Sequence, residues 1–324
     1  MRRAVGRYIV RRLLLNLLVL WIVATLVFFA VRLLKGDYVN ERLGANLELS
    51  ANNPVAIKQA RHELGLDEPK WQQYFTYLGQ LATGNLGKSF ETRRSTWTEL
   101  GERVPFTLEL GTLIALLSFG VAIPVGIISA VRQDTWADYV LRGFSILSVA
   151  TPVFFIAIVM TFFTLKYHLF TIEIVKSPHF WTDPKAAFFK YLIPAIAGGI
   201  AGGAGIMRLL RSQMLEVLRM DYVRTARAKG IAPNGVILRH ALKNAMIPVL
   251  TVMGLTVSGI IGGQIILENM FGIRGVGNYL LYTITNRDYP PFQGTVIIIA
   301  FVVVTVNLLV DIMYAWFDPR IRYT

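Results

Sequence analysis

Residues suited to covalent or metal chemistry are few and scattered in this 324-residue sequence. It contains no cysteine, which excludes disulfides, thiolate zinc sites, iron–sulfur clusters and thiol nucleophiles. Its four histidines, at positions 62, 168, 179 and 240, are too widely separated in sequence to indicate a metal site. We therefore predict no catalytic, cofactor-binding or metal-ligating residue, and we do not expect an enzyme.

Short motifs that would indicate an enzyme are incomplete. The tripeptide Gly-Lys-Ser at 87–89 resembles the end of a phosphate-binding loop, but that motif needs a glycine five residues earlier, where Ala82 stands. The His-Glu pair at 62–63 does not extend to the zinc motif H-E-x-x-H, because position 66 is Leu66. There is also no G-x-S-x-G nucleophile elbow. Neither a nucleotide site nor an intramembrane hydrolase is indicated.

Basic residues, by contrast, are concentrated in segment 208–243, which holds eight of the 33 lysines and arginines. Gly230 and the sequence Pro-Asn-Gly at 233–235 interrupt this segment. The pattern predicts one helix over 208–227 and a second, short helix over 236–244. Such a helix–turn–helix suits docking to a partner protein, but it also suits a solvated basic loop attracted to anionic lipid. Composition alone leaves both alternatives open.

The elements around this segment are apolar. Apolar residues make up 54% of the chain and charged residues 16%, and the mean hydropathy is +0.50. A soluble domain has about 45–50% apolar and about 25% charged residues. The composition therefore indicates a membrane protein.

Six segments are long enough to span a bilayer, which requires about 20 apolar residues in a helix. They are 13–31, 104–131, 139–165, 188–210, 246–267 and 292–317. We expect the first to be retained, because its apolar run is too long for a signal peptide and no small-x-small cleavage site follows it. Glycine pairs at 198/202 and 199/203 predict close helix packing. The sequence thus predicts an all-α membrane protein with six transmembrane helices.

The flanking charges predict the orientation of these helices. The segment before the first span, the loops 132–142 and 208–243, and the tail after 317 together hold 17 basic and five acidic residues. The rest of the chain holds 16 basic and 15 acidic residues. The basic side is predicted to be cytoplasmic, with both termini inside. The net charge of +13 then reflects topology and membrane lipid, and no nucleic-acid partner is expected.

We expect the chain to be organised in four parts. Residues 1–34 form the cytoplasmic N-terminus and first helix, and 35–103 form an extracytoplasmic segment. Residues 104–317 form a core of the second to sixth helices, and 318–324 form a cytoplasmic tail. The 35–103 segment should fold as a small outward-facing helical segment, because Asn53 and Pro54 form a helix start and Trp71, Tyr74 and Phe75 recur at helical spacing.

Short motifs occur in order along the whole chain. They are Arg-Arg-Leu at 11–13, Leu-Gly-Leu-Asp at 64–67, Gln-Tyr at 73–74, Gly-Asn-Leu-Gly at 84–87, Thr-Ala-Arg-Ala-Lys-Gly at 225–230, Arg-His-Ala-Leu at 239–242, Asn-Arg-Asp-Tyr-Pro at 286–290 and Asp-Pro-Arg-Ile-Arg-Tyr at 318–323. In this order and spacing they resemble the dipeptide/oligopeptide/nickel permease family, the membrane subunits of binding-protein-dependent ABC importers. Two local departures are Asn85, where the family usually has aspartate, and Arg274, where proline is common before the glycine.

The resemblance implies the type I ABC importer permease fold and a permease subunit that forms half of a translocation pore, most often for di- or oligopeptides. It also implies that segment 208–243 contains the loop that couples to a cytoplasmic ATPase. The residues so identified are Arg224, Thr225, Ala226, Arg227, Ala228, Lys229, Gly230, Arg239, His240 and Leu242. Only Ala226, Gly230 and Leu242 match the general importer loop signature, and the departures are those of the peptide subfamily. For His240 a structural or interface hydrogen bond is favoured over a pH-sensitive contact.

The implied partners are a second homologous permease subunit, two cytoplasmic ATP-binding subunits and an extracytoplasmic solute-binding protein. ATP and magnesium would be bound by the ATPase subunits, and this chain needs no cofactor. The implied location is a bacterial or archaeal cytoplasmic (inner) membrane. Substrate-binding residues and the solute stay open, because nickel, glutathione and other small solutes use the same architecture.

A secondary transporter or channel working without an ATPase is the alternative. Such proteins place ionisable groups deep in the membrane. The predicted spans contain few of them: Glu109, Arg142, Lys190, Arg208 and Asp311. All except Asp311 lie near predicted ends, and no inverted repeat is evident. The sequence therefore favours the importer.

Overall fold

The computed structural model describes residues 2–33, 38–39, 54–173 and 176–317, and in these ranges the chain is mainly helical. The helices are α1 (Arg2–Leu33), α2 (Pro54–Glu63), α3 (Lys70–Ala82), α4 (Thr96–Val131), α5 (Trp136–Ala150), α6 (Val153–Lys166), α7 (Pro184–Leu218), α8 (Asp221–Ala228), α9 (Leu242–Met270), α10 (Val276–Thr285) and α11 (Tyr289–Phe317). The predicted helix start at Asn53 and the predicted tail 318–324 lie outside the described residues.

Helices able to cross a membrane occupy most of the described chain. Within it, five helical stretches are long and apolar enough: Val10–Leu33, Thr96–Val131, Pro184–Leu218, Pro233–Ile260 and Tyr289–Leu309. A sixth is obtained if α5 and α6 are counted as one span. This confirms the predicted all-α, multi-pass membrane fold.

The predicted span 139–165 is expected to be one continuous helix, but the structure divides it into two. It consists of α5 and α6, which meet at an angle of 109°. Thr151, between them, has an extended backbone with φ −96° and ψ 124°, and Pro152 follows it. The proline ring clashes with a helical conformation of the preceding residue, so the helix ends there and starts again in a new direction.

The chain divides into two compact units, of which the first comprises residues 1–106 and 274–304. Here α1 packs on α3 of the predicted outward segment. The ring of Phe28, which is fully buried, lies 5.2 Å from the ring of Tyr74 and 5.6 Å from that of Tyr77. The Arg32 guanidinium donates two hydrogen bonds to the Gln73 side-chain oxygen, at 3.0 and 2.8 Å.

The Gly-Lys-Ser tripeptide of this unit lies in a packed turn. Gly87 has φ +80°, and a Cβ added to it would lie 2.8 Å from the Pro290 side chain. The Ser89 hydroxyl donates to one carboxylate oxygen of Asp288 (2.5 Å), and the Phe90 amide donates to the other (2.8 Å). The glycine and serine are thus explained by chain packing, as the incomplete phosphate motif suggested.

The second unit comprises residues 107–273 and 305–322 and contains α7, which packs against α5, α6 and α9. Asp183 caps α7 by accepting a hydrogen bond from the Ala186 amide (3.0 Å), and Pro184 follows at the first helical position. A Cβ at Gly199 would lie 2.7 Å from the Leu117 side chain, and one at Gly203 would lie 2.9 Å from a main-chain oxygen of α4. The close packing predicted from the paired glycines is therefore confirmed.

Candidate coupling loop

The basic segment, 208–243, begins within α7, which ends at Leu218. Met220 has an extended backbone (ψ 147°), and α8 begins at Asp221. The helix predicted over 208–227 is therefore two helices with a break at 219–220. An acidic residue in the first turn of α8 and Arg227 in its last turn match the helix dipole, which favours a new helix at this point.

Helix α8 has one narrow buried face. Val223 is fully buried and Ala226 is 5% exposed, and these positions are three residues apart, on one side of the helix. Its other residues are exposed, among them Arg224, Thr225 and Arg227. The helix is thus held to the protein along one edge and presents polar side chains on its remaining surface.

The buried edge of α8 rests on a cluster of apolar side chains from α7 and from the chain leading into α9. Met214 and Val217 come from α7, and Val236, Ala241 and Ala245 come from the return segment. All five are at most 5% exposed. This cluster therefore joins α8 to the ends of two long helices.

The turn after α8 is a helix cap made by glycine. Gly230 has φ +76°, its amide donates to the Arg227 carbonyl (3.0 Å), and the next amide donates to the Ala226 carbonyl (3.3 Å). These two bonds define a Schellman motif, in which glycine is favoured because other L-residues are strained at positive φ. A Cβ added at Gly230 would meet no atom within 4 Å. The turn therefore projects into open space.

The return segment enters α9 without a break. A helical turn at Pro233–Gly235 leads into a π-helical turn at Val236–Ala241 and then into α9, so the separate short helix predicted over 236–244 is part of one longer helical stretch. The Asn244 amide group donates to the His240 carbonyl (2.9 Å) and to the Tyr222 hydroxyl (3.0 Å). This second bond ties the return segment to α8. π-Helical turns are rare and occur frequently at functional sites.

The exposed surface of the loop is cationic. Arg224, Arg227 and Lys229 are exposed on or just after α8, and Arg239 is exposed on the π-helical turn. Asp221 lies 3.4 Å from Arg224, but the two side chains are 95% and 72% exposed, so their attraction is weakened by water. The surface is suited to an acidic partner.

The ten predicted loop residues differ in their exposure to solvent. Six are exposed on α8 or its cap: Arg224, Thr225, Arg227, Ala228, Lys229 and Gly230. Of the others, Ala226 is buried, Arg239 is exposed, and His240 and Leu242 are half-buried, with Leu242 against the apolar cluster. Their function in coupling stays a prediction.

Sequence analysis missed two features of this region. One is the Tyr222–Asn244 bond, for which the sequence carries no signal. The other is a buried ion pair between Asp138 and Arg211, because Asp138 was counted only as an acidic residue flanking a span. The sequence carries no signal for this pair either: the spacing of Thr135 and Asp138 indicates only a helix start, and the Thr135 hydroxyl does cap α5.

Comparisons with known proteins agree with the motifs. Residues 122–323 match the family described as the binding-protein-dependent transport system inner membrane component, and residues 5–111 match the N-terminal part of such membrane components. The dipeptide transport system permease protein DppB of Alkalihalophilus pseudofirmus is 36% identical, over 98% of this chain and 99% of the relative. The di/tripeptide transport system permease protein DppB of Pseudomonas aeruginosa is 36% identical over 98% of both chains. The glutathione transport system permease protein GsiC of Escherichia coli is 35% identical, over 98% of this chain and 99% of the relative.

Proposed function

This chain belongs to the family of binding-protein-dependent transport system inner membrane components, and from that premise we propose that it is a permease subunit of an ATP-driven peptide importer. It forms half of the translocation pore, and a second, homologous permease subunit forms the other half. A solute-binding protein delivers the solute from outside, and two cytoplasmic ATP-binding subunits supply the energy.

The observation that carries this proposal is the coupling loop. Helix α8 and the Gly230 turn are exposed and cationic, yet they are fixed by Val223 and Ala226 to an apolar cluster shared with α7 and the start of α9. A surface that binds an ATPase must be accessible, and a surface that transmits motion must be firmly attached. The loop meets both conditions, and of the two alternatives left open by composition, the docking surface is the better supported.

The substrate class follows from the relatives. Two of those compared are named for dipeptides or for di- and tripeptides, and one is named for glutathione, which is itself a small peptide. Identity of 35–36% extends over nearly the whole chain, including the spans through which a solute passes. We therefore assign di- or oligopeptides as the cargo.

The proposed topology places both termini, the 132–142 turn and the coupling loop in the cytoplasm, and α2 and α3 outside. In this arrangement the cationic loop is available to the ATPase subunits, and the distribution of basic residues supports a cytoplasmic location for it. The chain itself is not an enzyme, because ATP and magnesium are bound and ATP is hydrolysed by the partner subunits. Alternating access of the pore results when nucleotide binds the two conformations of the complex with different affinity.

Uptake by a reconstituted complex tests the proposal. Proteoliposomes containing this chain, its partner permease and the ATPase subunits are supplied with solute-binding protein and a radiolabelled dipeptide, with ATP enclosed on the cytoplasmic side. We expect uptake that requires both ATP and the binding protein. Uptake that proceeds equally well without ATP, driven by an imposed ion gradient, would refute the importer.

The alternative of a secondary transporter is favoured by one observation, the burial of ionisable groups in the second unit. Glu268 is fully buried, Lys190 is 2% exposed, and the Glu109 side chain is 10% exposed. Each has a local partner: Thr107 donates to Glu268 (2.7 Å), Lys190 donates to the Glu173 carbonyl (2.7 Å), and Glu109 contacts a histidine ring. These partners explain the burial by packing, so the importer remains the better-supported function.

A further inference from the structure

A buried ion pair joins three elements of the second unit. The Asp138 carboxylate, at the start of α5, is fully buried and accepts two hydrogen bonds from the Arg211 guanidinium of α7, at 2.8 and 2.7 Å. It also accepts a bond from the Ser129 hydroxyl of α4 (2.5 Å) and from the Asp134 amide of the connecting turn (3.1 Å). The Arg142 guanidinium is farther from the same carboxylate, at 3.7 Å.

The geometry of this ion pair fixes the positions of its residues more strictly than stability alone requires. Moving two charges out of water is costly, and a buried pair gains little over well-packed apolar side chains. A bidentate arginine–carboxylate contact does, however, fix both distance and direction. The network therefore sets the position of the start of α5 relative to α4 and α7.

The network lies next to the anchor of the coupling loop. Arg211 precedes Met214 by three residues on α7, and Met214 is fully buried in the apolar cluster that holds Val223 and Ala226 of α8. The same stretch of α7 therefore shares an apolar cluster with α8 through Met214 and holds α5 through Arg211.

Beyond the ion pair, α5 also packs along α7, where the buried Ser145 hydroxyl donates a hydrogen bond to the Ala204 carbonyl (3.1 Å). An apolar cavity of about 170 Å³ lies between α4, α5 and α7, and its lining includes Val125, Leu141 and Gly203. At its far end α5 stops at Thr151, where the chain turns by 109° into α6. Attachment to α7 both at the ion pair and in mid-helix, with an apolar cavity toward α4, is the arrangement expected of a helix that moves together with α7.

We propose that Asp138 and Arg211 are positioning residues that make α5 follow the coupling loop, so that closure of the ATPase subunits moves α5 against α4. This inference rests on the proposed function and assigns the ion pair a part in it.

The test uses the complete complex and separates stability from coupling. Asp138→Asn and Arg211→Gln each leave one buried charge without its partner, so both single variants should lower the yield of assembled complex. The double variant D138N/R211Q removes both charges of the pair and leaves only Arg142, whose side chain is 41% exposed, without its carboxylate, so it should assemble at the wild-type level. Two quantities are then measured for it: basal ATP hydrolysis, and the stimulation of hydrolysis by peptide-loaded binding protein.

We expect the double variant to retain basal hydrolysis and to lose about tenfold of the stimulation, because a fixed bidentate contact has been replaced by a neutral one that no longer holds α5. Wild-type levels of stimulation and uptake in the double variant would overturn the inference and leave the ion pair a purely structural role. An absence of stimulation in the wild-type complex would instead count against the proposed function, so the two failures are distinguishable.

A second variant keeps the inference testable if the double variant assembles poorly. Val125→Phe places a larger side chain in the cavity and leaves the ion pair intact, and it should lower stimulation because α5 loses room to move. Wild-type stimulation in this variant would refute a movement of α5 against α4. The matched control is Lys176→Gln, which removes an exposed ion pair with Glu173 (3.7 Å) on another loop and should change neither quantity.

Discussion

The clearest prediction concerns the size of residue 230. At φ +76°, an alanine or glutamate costs about 1–2 kcal/mol of backbone strain relative to glycine. Since a Cβ at this position meets no atom within 4 Å, both side chains start in open space, and the exposed glutamate should add little to this cost. Gly230→Ala and Gly230→Glu should therefore be inserted and folded equally well. Any difference in transport between the two variants must therefore come from a contact with a partner protein.

We expect Gly230→Glu to abolish most coupled transport while Gly230→Ala keeps a substantial part of it. A bulky side chain at a packed contact costs about 1–3 kcal/mol, which is about fivefold to more than a hundredfold in affinity for the ATPase. The negative charge also opposes the match between a cationic loop and an acidic partner. The assays are ATP-dependent peptide uptake and the amount of ATPase that co-purifies with each variant.

Gly84 provides a matched control. It ends α3 with the same pair of cap hydrogen bonds, has φ +74°, and also meets no atom within 4 Å of an added Cβ. Gly84→Ala and Gly84→Glu carry the same strain in the predicted outward segment and should retain the bound ATPase equally. Equal uptake by Gly230→Ala and Gly230→Glu would refute the reasoning, because it would show that no partner packs against the turn.

Three further predictions use single substitutions. With no native cysteine in the chain, Asn234→Cys should react with a membrane-impermeant maleimide only from the cytoplasmic side and Thr98→Cys only from outside; the reverse labelling would overturn the topology. Gly203→Ala should lower the free energy of unfolding of the purified protein by about 1–3 kcal/mol, because the added Cβ meets the backbone of α4. Gly205→Ala is the control, because a Cβ there meets no atom within 4 Å and should not change stability. Equal melting temperatures of the two variants would contradict the packing. Arg227→Gln should weaken ATPase binding by about 0.2–1 kcal/mol at low salt and less at high salt, and an effect independent of salt would exclude an electrostatic contact.

Much of the fold could be predicted from the sequence because apolar length and flanking charge are local properties. Each predicted span other than 139–165 lies within one helix of the structure. The sequence also contains a reason for the exception, because Pro152 within the 139–165 span disfavours a helical conformation for the residue before it. Membrane helices often tolerate proline, however, and the sequence alone does not state which outcome applies.

The candidate site could be predicted only in part. The Gly230 turn follows from glycine between two helical patterns, and the structure contains the expected positive φ. The division of α8 into a buried edge and an exposed surface depends on Met214 and Val236, whose contacts with α8 are made by the tertiary fold. The Asp138–Arg211 pair joins residues 73 apart in sequence, and a single sequence gives no measure of such proximity.

Co-purification tests the central claim most directly. The tagged chain is expressed with its neighbouring genes, extracted gently and analysed for the proteins that remain bound, and the sample is assayed for ATP hydrolysis. We predict a second permease and ATP-binding subunits that hydrolyse ATP and respond to peptide-loaded binding protein. A chain that purifies without any ATPase, even after crosslinking through a cysteine at position 234, would contradict the importer and favour a transporter that works without ATP.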